Sequence, residues 1–400
     1  MKALQLLAIL AFCWQAVVET SVAQAQTYTV LHRFKGGPTD GADPFFGPLI
    51  GDSAGNLYGT TFAGGAFNEG AVFKLNKAGV TILYSFTGGA DGGNPEAGLI
   101  QDSAGNLYGT TFTGGTGTCA GCGVVFKLDP TGTETVLHTF EWGADGAGAD
   151  AGLIRDAGGN FYGTTQRGGT FNEGVVFKVD TTETETVLYS FMDAGGANPE
   201  AGLVRDSAGN LYGTTFGGGP GGAGVVFKLD TTGTKTVLYS FTGGANGGNP
   251  QAGVIGDSEG NLYGTTSGGG SNDLGVVFKL DTTGKQTVLH SFTGGADGAR
   301  PSGLIRDSSG NLYGTTYSGG ILISGTGCSI GCGVVFKLDT TGTETVLHSF
   351  TGADGANPDA GLLRDSAGNL YGTTKNGGFL GSTCTFGSGA GCGVVFMIQP

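Results

Sequence analysis

Acidic side chains outnumber Lys plus Arg by 33 to 19 over 400 residues. A phosphate backbone would meet a repulsive average field, and no basic stripe with interleaved aromatics offsets it, so nucleic acid is excluded as the expected partner. Glycine contributes 84 residues without a period of three, which rules out a collagen-like chain, and a hydrophobic content of 38% is too high for a disordered one.

The chain opens with Lys2, a mostly apolar run from Ala3 to Trp14, and the small-x-small site Ala23-Gln24-Ala25. This pattern predicts a secretory signal peptide over residues 1–25. No later stretch approaches the roughly 18 apolar residues of a membrane helix. Residues 26–400 are therefore expected as one exported domain, secreted or periplasmic, with no membrane insertion and as a monomer.

The hexapeptide NLYGTT starts at Asn56, Asn106, Asn210, Asn261, Asn311 and Asn369, and NFYGTT at Asn160, with spacings of 50, 54, 50, 51, 50 and 58 residues. Each unit holds four strand-length runs, seen in the fourth as AGLVRD (Ala201 to Asp206), NLYGTT (Asn210 to Thr215), GVVFKLD (Gly224 to Asp230) and TVLYSF (Thr236 to Phe241). These runs are rich in β-branched and aromatic residues, and Asp-to-Gly connectors supply tight-hairpin chemistry. Four antiparallel strands in about 50 residues match the blade of a β-propeller. The ends favour a closed ring over an open solenoid. YTVLHRF (Tyr28 to Phe34) is a fourth strand with no first three before it, and GVVFMIQP (Gly393 to Pro400) is a third with no fourth after it. The expected fold is all-β, a seven-bladed propeller in which the closing strand, residues 26–34, completes the last blade. The Tyr of each NLYGTT is expected to pack between sheets, with the following Gly letting those sheets approach.

GNLYGTT followed by GG, then GVVFKL and a final L-x-x-F, resembles the GloVer repeat of exported bacterial proteins across essentially the whole mature chain. The resemblance implies a propeller-like exported protein and names no ligand. Its members often carry a C-terminal surface-sorting segment, absent here, so release is expected. Kelch repeats share the period and the GG doublet, but their repeated Trp is missing: only Trp14 and Trp142 occur.

Motifs that suggest catalysis recur as scaffold. GDSAG at Gly51 fits G-x-S-x-G, but the same slot reads RDAGG at Arg155, and no strand-to-helix elbow follows. His32, His138, His290 and His348 share their slot with Tyr84, Tyr189 and Tyr239, which marks a packing position before a general base. No catalytic residue and no metal ligand is assigned. Six cysteines follow Cys13, and the local pairs Cys119 with Cys122, Cys328 with Cys332 and Cys384 with Cys392 are the expected disulfides of an exported chain. A zinc site from Cys328, Cys332, Cys384 and Cys392 is the alternative. No cofactor motif occurs. Oxygen-rich segments such as GGADGGNPEAG (Gly88 to Gly98) could hold Ca²⁺, and turn formation accounts for the same composition.

Strand order puts the blade-to-blade loops and the loops between second and third strands on one face, which holds every length change and every cysteine pair. That face is the expected binding surface. A residue required only by the blade recurs in most blades, so departures mark candidates: Phe45, Phe46, Glu141, Trp142, Gln166, Arg167, Arg300 and Lys375. Trp142 beside Glu141 could stack a sugar ring and accept its hydroxyls. The favoured function is a non-catalytic binding scaffold for a glycan, peptide or cell-surface protein. The alternative is a glycan-active hydrolase or lyase with Asp91, Asp145, Asp297 or Asp354 at the channel mouth.

Overall fold

The turn that starts each repeat is specified by its side chains. In a computed structural model describing residues 26–116, 119, 121–322, 328–378, 384 and 391–399, the Asp52 carboxylate accepts hydrogen bonds from the Asn56 backbone N–H, the Asn56 amide and the Tyr58 hydroxyl. The Tyr hydroxyl makes the same bond to Asp102, Asp156, Asp206, Asp257, Asp307 and Asp365 in the other repeats. NLYGTT thus clamps its own hairpin, while its Tyr rings join the clusters between sheets, as Tyr58 does with Leu99 and Leu107. The glycine has a different role from the one expected. A Cβ at Gly59 would lie 2.8 Å from both Phe73 Cζ and Leu49 Cδ2, two side chains of its own blade. It makes room for the Phe of its paired third strand rather than for the adjacent sheet.

The described residues form seven four-stranded antiparallel sheets and one two-stranded ladder, Gly41–Ala42 with Ala63–Gly64. The fourth repeat supplies, from channel to rim, Val204–Arg205, Leu211–Thr215, Val225–Leu229 and Lys235–Ser240. The seventh sheet is completed from the other end of the chain. Thr27–Arg33 lies antiparallel to Val394–Gln399 with Tyr28 opposite Ile398, and the Phe34 N–H donates to the Gly393 carbonyl at 3.0 Å. The fold is a seven-bladed β-propeller closed by its N-terminal strand.

Apolar packing between blades holds the ring. The Phe ending each outer strand meets the third-strand Phe of the next blade edge to face, at centroid distances from 5.1 Å for Phe86 and Phe126 to 5.3 Å for Phe350 and Phe396. All of these rings are inaccessible to solvent. A polar layer runs alongside. The first Thr of the motif donates to the next blade's innermost segment, as Thr60 does to the Ala97 carbonyl at 2.9 Å and Thr315 to that of Ala360 at 3.1 Å. The equivalent hydroxyl of Thr373 is buried without a partner. Its neighbour is the first blade, where Asp43-Pro44-Phe45-Phe46-Gly47-Pro48-Leu49 is one residue longer than Asn94 to Leu99.

Candidate functional site

In four blades the innermost segment is entered through a shared frame, Asn-Pro-x-Ala-Gly. Its Asn holds a left-handed φ of 50° to 57° at Asn94, Asn198, Asn249 and Asn357, a region Asn tolerates better than most residues. The side-chain amide bonds the previous blade, Asn94 to the Phe62 carbonyl at 3.0 Å and Asn357 to that of Tyr317 at 2.9 Å. Within this frame the middle residue varies as Glu96, Glu200, Gln251 and Asp359, and Asp150 holds the same place before Ala151-Gly152 in the third blade. Side chains alternate along an extended segment. Ala97 and Leu99 are buried, and the segment from Ala97 to Ile100 lines the central channel.

The channel is a cavity of about 350 Å³, with Asp150, Glu200, Gln251 and Asp359 at one end and Ile100, Ile154, Val204, Ile255 and Ile305 toward the other. Glycines also line it, among them Gly98, Gly152, Gly202 and Gly253. Beside the acidic end opens a vestibule of about 270 Å³ lined by Phe45, Phe46, Arg300, Tyr317, Asp359 and Lys375, among others. Lys375 Nζ stands 3.8 Å from the centroid of the Phe45 ring, a cation–π contact.

Charge at the mouth is poorly hydrated. Burial pushes the Glu96 carboxyl up to about 7, with Lys375 drawing it down and Glu200 and Asp359 repelling it. Asp359 is raised to about 6 by burial against the pull of Lys375. Asp43, behind the vestibule, is raised to about 6 by burial, again opposed by Lys375. Asp150 is driven well above the carboxylate range, first by burial and then by Glu96 and Glu200. Glu200 is raised by burial while accepting a hydrogen bond from Gln166 at 2.9 Å. The mouth thus gathers carboxyls able to change protonation near neutrality, one ammonium and an aromatic wall.

Of the residues singled out from the sequence, Phe45, Phe46, Arg300 and Lys375 meet in the vestibule. Arg167 lies exposed within electrostatic reach of Asp150. Glu141 and Trp142 sit apart on a blade-to-blade loop, with Trp142 46% exposed at a φ of 56°. Arg300 also holds a positive φ, 55°, in the slot that four other blades fill with Asn. A left-handed Arg lining a cavity is strain at a candidate site. Sequence reasoning missed Glu96, Asp150, Glu200, Asp359 and Tyr317, although for the four carboxyls the variable letter before Ala-Gly carried the signal.

Asp91, Asp145, Asp297 and Asp354 do not line this mouth. Their carboxylates tie the turns to the outer strands: Asp91 accepts from the Tyr84 hydroxyl at 3.0 Å, and Asp354 stands 3.0 Å from His348 Nε2. The six cysteines form the three local disulfides expected, so the zinc alternative has no thiolates. Cys122, Cys332 and Cys392 are fully buried, and their carbonyls accept the backbone N–H of Gly148, Asn357 and Asp43 in the next mouth segment. Among the described residues no three acidic, His or Cys side chains converge at metal-ligating distance, and no helix is long and apolar enough to cross a membrane.

No curated protein matches the chain. Among solved structures it is similar to the extracellular domain of a provisionally assigned one-component system from B. thetaiotaomicron, with 10% identity, a TM-score of 0.54, and coverage of 87% of this chain but only 39% of that one. It is also similar to a provisionally assigned 6-phosphogluconolactonase from Bacteroides uniformis, with 14% identity, a TM-score of 0.51, and coverage of 81% and 96%. At these identities the likeness is one of fold. Residues 16–210 and 193–386 each match the Gloeobacter/Verrucomicrobia repeat, and the chain belongs to that family.

Proposed function

We propose that the chain is an exported, non-catalytic binding propeller whose ligand, a glycan, peptide or cell-surface partner, docks at the channel mouth. One observation carries this reading: residues that depart from the repeat, Phe45, Phe46, Arg300, Tyr317 and Lys375, line one concave vestibule. By contrast, a cleft of about 440 Å³ on the opposite face is lined by Asp52, Tyr58, Lys74 and Asp102, residue types that recur in nearly every blade. Aromatic rings beside fixed polar groups suit a ligand with flat apolar faces and hydroxyl or amide edges. Trp142 and Phe171, 46% and 54% exposed on loops joined by the Gly169 to Gly143 backbone bond, extend the surface outward.

Glycan and peptide arrays probed with wild type, Phe45→Ala and Lys375→Ala test the reading. Loss of the captured ligand in both variants supports it; unchanged capture in both removes the mouth as the site. A glycan-active hydrolase or lyase is the second reading, favoured by Glu96, whose carboxyl, raised to about 7, keeps a proton near neutrality as a general acid must. Turnover of a captured glycan that disappears in Glu96→Gln would establish it over simple binding.

A further inference from the structure

Asp150 is 7% exposed, its Oδ1 has no hydrogen-bond partner, and it lines the central channel. An unpaired buried carboxylate oxygen costs free energy unless a donor meets it. The groups around it add to that demand. Glu96 and Glu200 repel it, and Arg167, which draws it down, is exposed at the rim. Lys375 draws down Asp43, Glu96 and Asp359. Gln166 satisfies one oxygen of Glu200.

The carboxyls sit on different blades without gathering at metal-ligating distance among the described residues. A bare divalent ion needs its oxygens on one small sphere. An ammonium group is less demanding: it carries three donors and can face separate acceptors. Next along the channel come Gly98, Gly152 and Gly202, and then Ile100, Ile154 and Val204. The glycine backbones pack against one another, a Cβ at Gly202 reaching 3.3 Å from the Gly152 carbonyl, so the space is the channel cavity itself, and the aliphatic ring gives it an apolar wall. Acid at one end and hydrocarbon along the wall complement a charged head on a methylene stem.

We propose that the channel binds a small aliphatic primary ammonium, its nitrogen donating to Asp150 Oδ1 beside Glu96 and Glu200 and its stem lying along the glycine and Ile/Val rings. This deepens the binding reading given above and rests on the mouth being the working site.

Calorimetric titration of the full, disulfide-intact protein tests it with n-pentylammonium, n-pentanol, a blocked lysine and Ca²⁺ as probes. Saturable binding of n-pentylammonium, about tenfold or more tighter than n-pentanol, is expected, since a hydrogen bond to a charged group is worth that much. Asp150→Asn should weaken n-pentylammonium by about tenfold and leave n-pentanol unchanged. This variant replaces a buried acid by a neutral amide of the same shape and so should fold, which circular dichroism checks. Blocked lysine binding as well as n-pentylammonium would identify a partner's side chain as the source, and n-pentylammonium alone a free amine; both outcomes support the proposal. Equal binding of amine and alcohol, wild-type affinity in Asp150→Asn, or saturation by Ca²⁺ without n-pentylammonium would overturn it. An array ligand lost in Phe45→Ala and Lys375→Ala, with no amine binding, would sink this inference and leave the broader reading standing.

Discussion

Phe34 and Phe73 meet edge to face with ring centroids 5.3 Å apart. The first ends the N-terminal strand in the seventh sheet, and the second lies in the third strand of the first sheet. This contact makes the chain's own beginning a wedge between its first and last blades. Phe34→Ala is expected to cost about 3 to 5 kcal/mol, the usual range for emptying a buried Phe site. Urea unfolding should show a cost close to that of Phe140→Ala, the same position within the chain's interior. A loss below about 1 kcal/mol would mean that the seam is not packed like the other junctions.

The seam differs from the other junctions in one polar detail. Thr60 donates across its junction to Ala97, whereas the Thr373 hydroxyl is buried and unpartnered beside the longer first-blade segment. Thr60→Val should cost about 1 to 2 kcal/mol, and Thr373→Val should be neutral or stabilising, because only the first loses a made bond. Thermal unfolding of the two variants gives the comparison. Equal costs would contradict the assignment.

Stability should peak in mild acid. Burial holds Glu134 and Glu344 up to about 7, with Asp91 and Asp297 adding repulsion. It does the same for Glu185, where His138 pulls down and Asp145 pushes up. An acid with a raised folded pKa favours the fold below its unfolded value of 4.5, and that contribution is lost as pH climbs toward 7. The turn aspartates, such as Asp102 and Asp156, are lowered despite partial burial because Asn, Tyr and backbone donors hold the ionised form. Their contribution is present above the unfolded value of 3.8 and lost as pH falls below it. Melting temperature should therefore fall on both sides of about pH 4 to 5. Glu134→Gln, Glu185→Gln and Glu344→Gln combined should flatten the alkaline side, by roughly 1 kcal/mol per site at pH 8 after allowing for solvent screening. An unchanged alkaline slope would show that these carboxyls are ionised at no cost.

Arg300 occupies an Asn slot at a φ of 55°, keeping the backbone bond to the Leu274 carbonyl at 2.8 Å. Arg300→Asn should stabilise the protein by about 1 kcal/mol, since Asn accepts the left-handed region more readily, while weakening capture of the vestibule ligand. Chemical denaturation and array binding measure the two halves. A destabilised variant would remove the strain argument.

Blade number, strand order and closure were legible because NLYGTT marks one strand in every repeat and the two chain ends complement each other. Less legible were the outer strands. TVLYSF reads as uniform alternation, yet the register shifts between Val226 and Phe227, which leaves Leu238 as an extra residue. Composition does not announce such a bulge. The mouth carboxyls were missed for another reason. Asp91 and its equivalents sit in loops of the right face, but whether such an Asp turns to its own strand or toward the axis depends on the Tyr or His it meets, which is a tertiary fact. Glu96, Asp150, Glu200 and Asp359 stood before an Ala-Gly pair too constant to attract notice.

The central claim is that this propeller works at its channel mouth. A crystal structure of the protein bound to the strongest array ligand tests it most directly. The account predicts that ligand against Phe45, Tyr317 and Lys375, with part of it facing Asp359. A ligand seated on the opposite face among the turns at Asp52 and Asp102, with the mouth unoccupied, would contradict it.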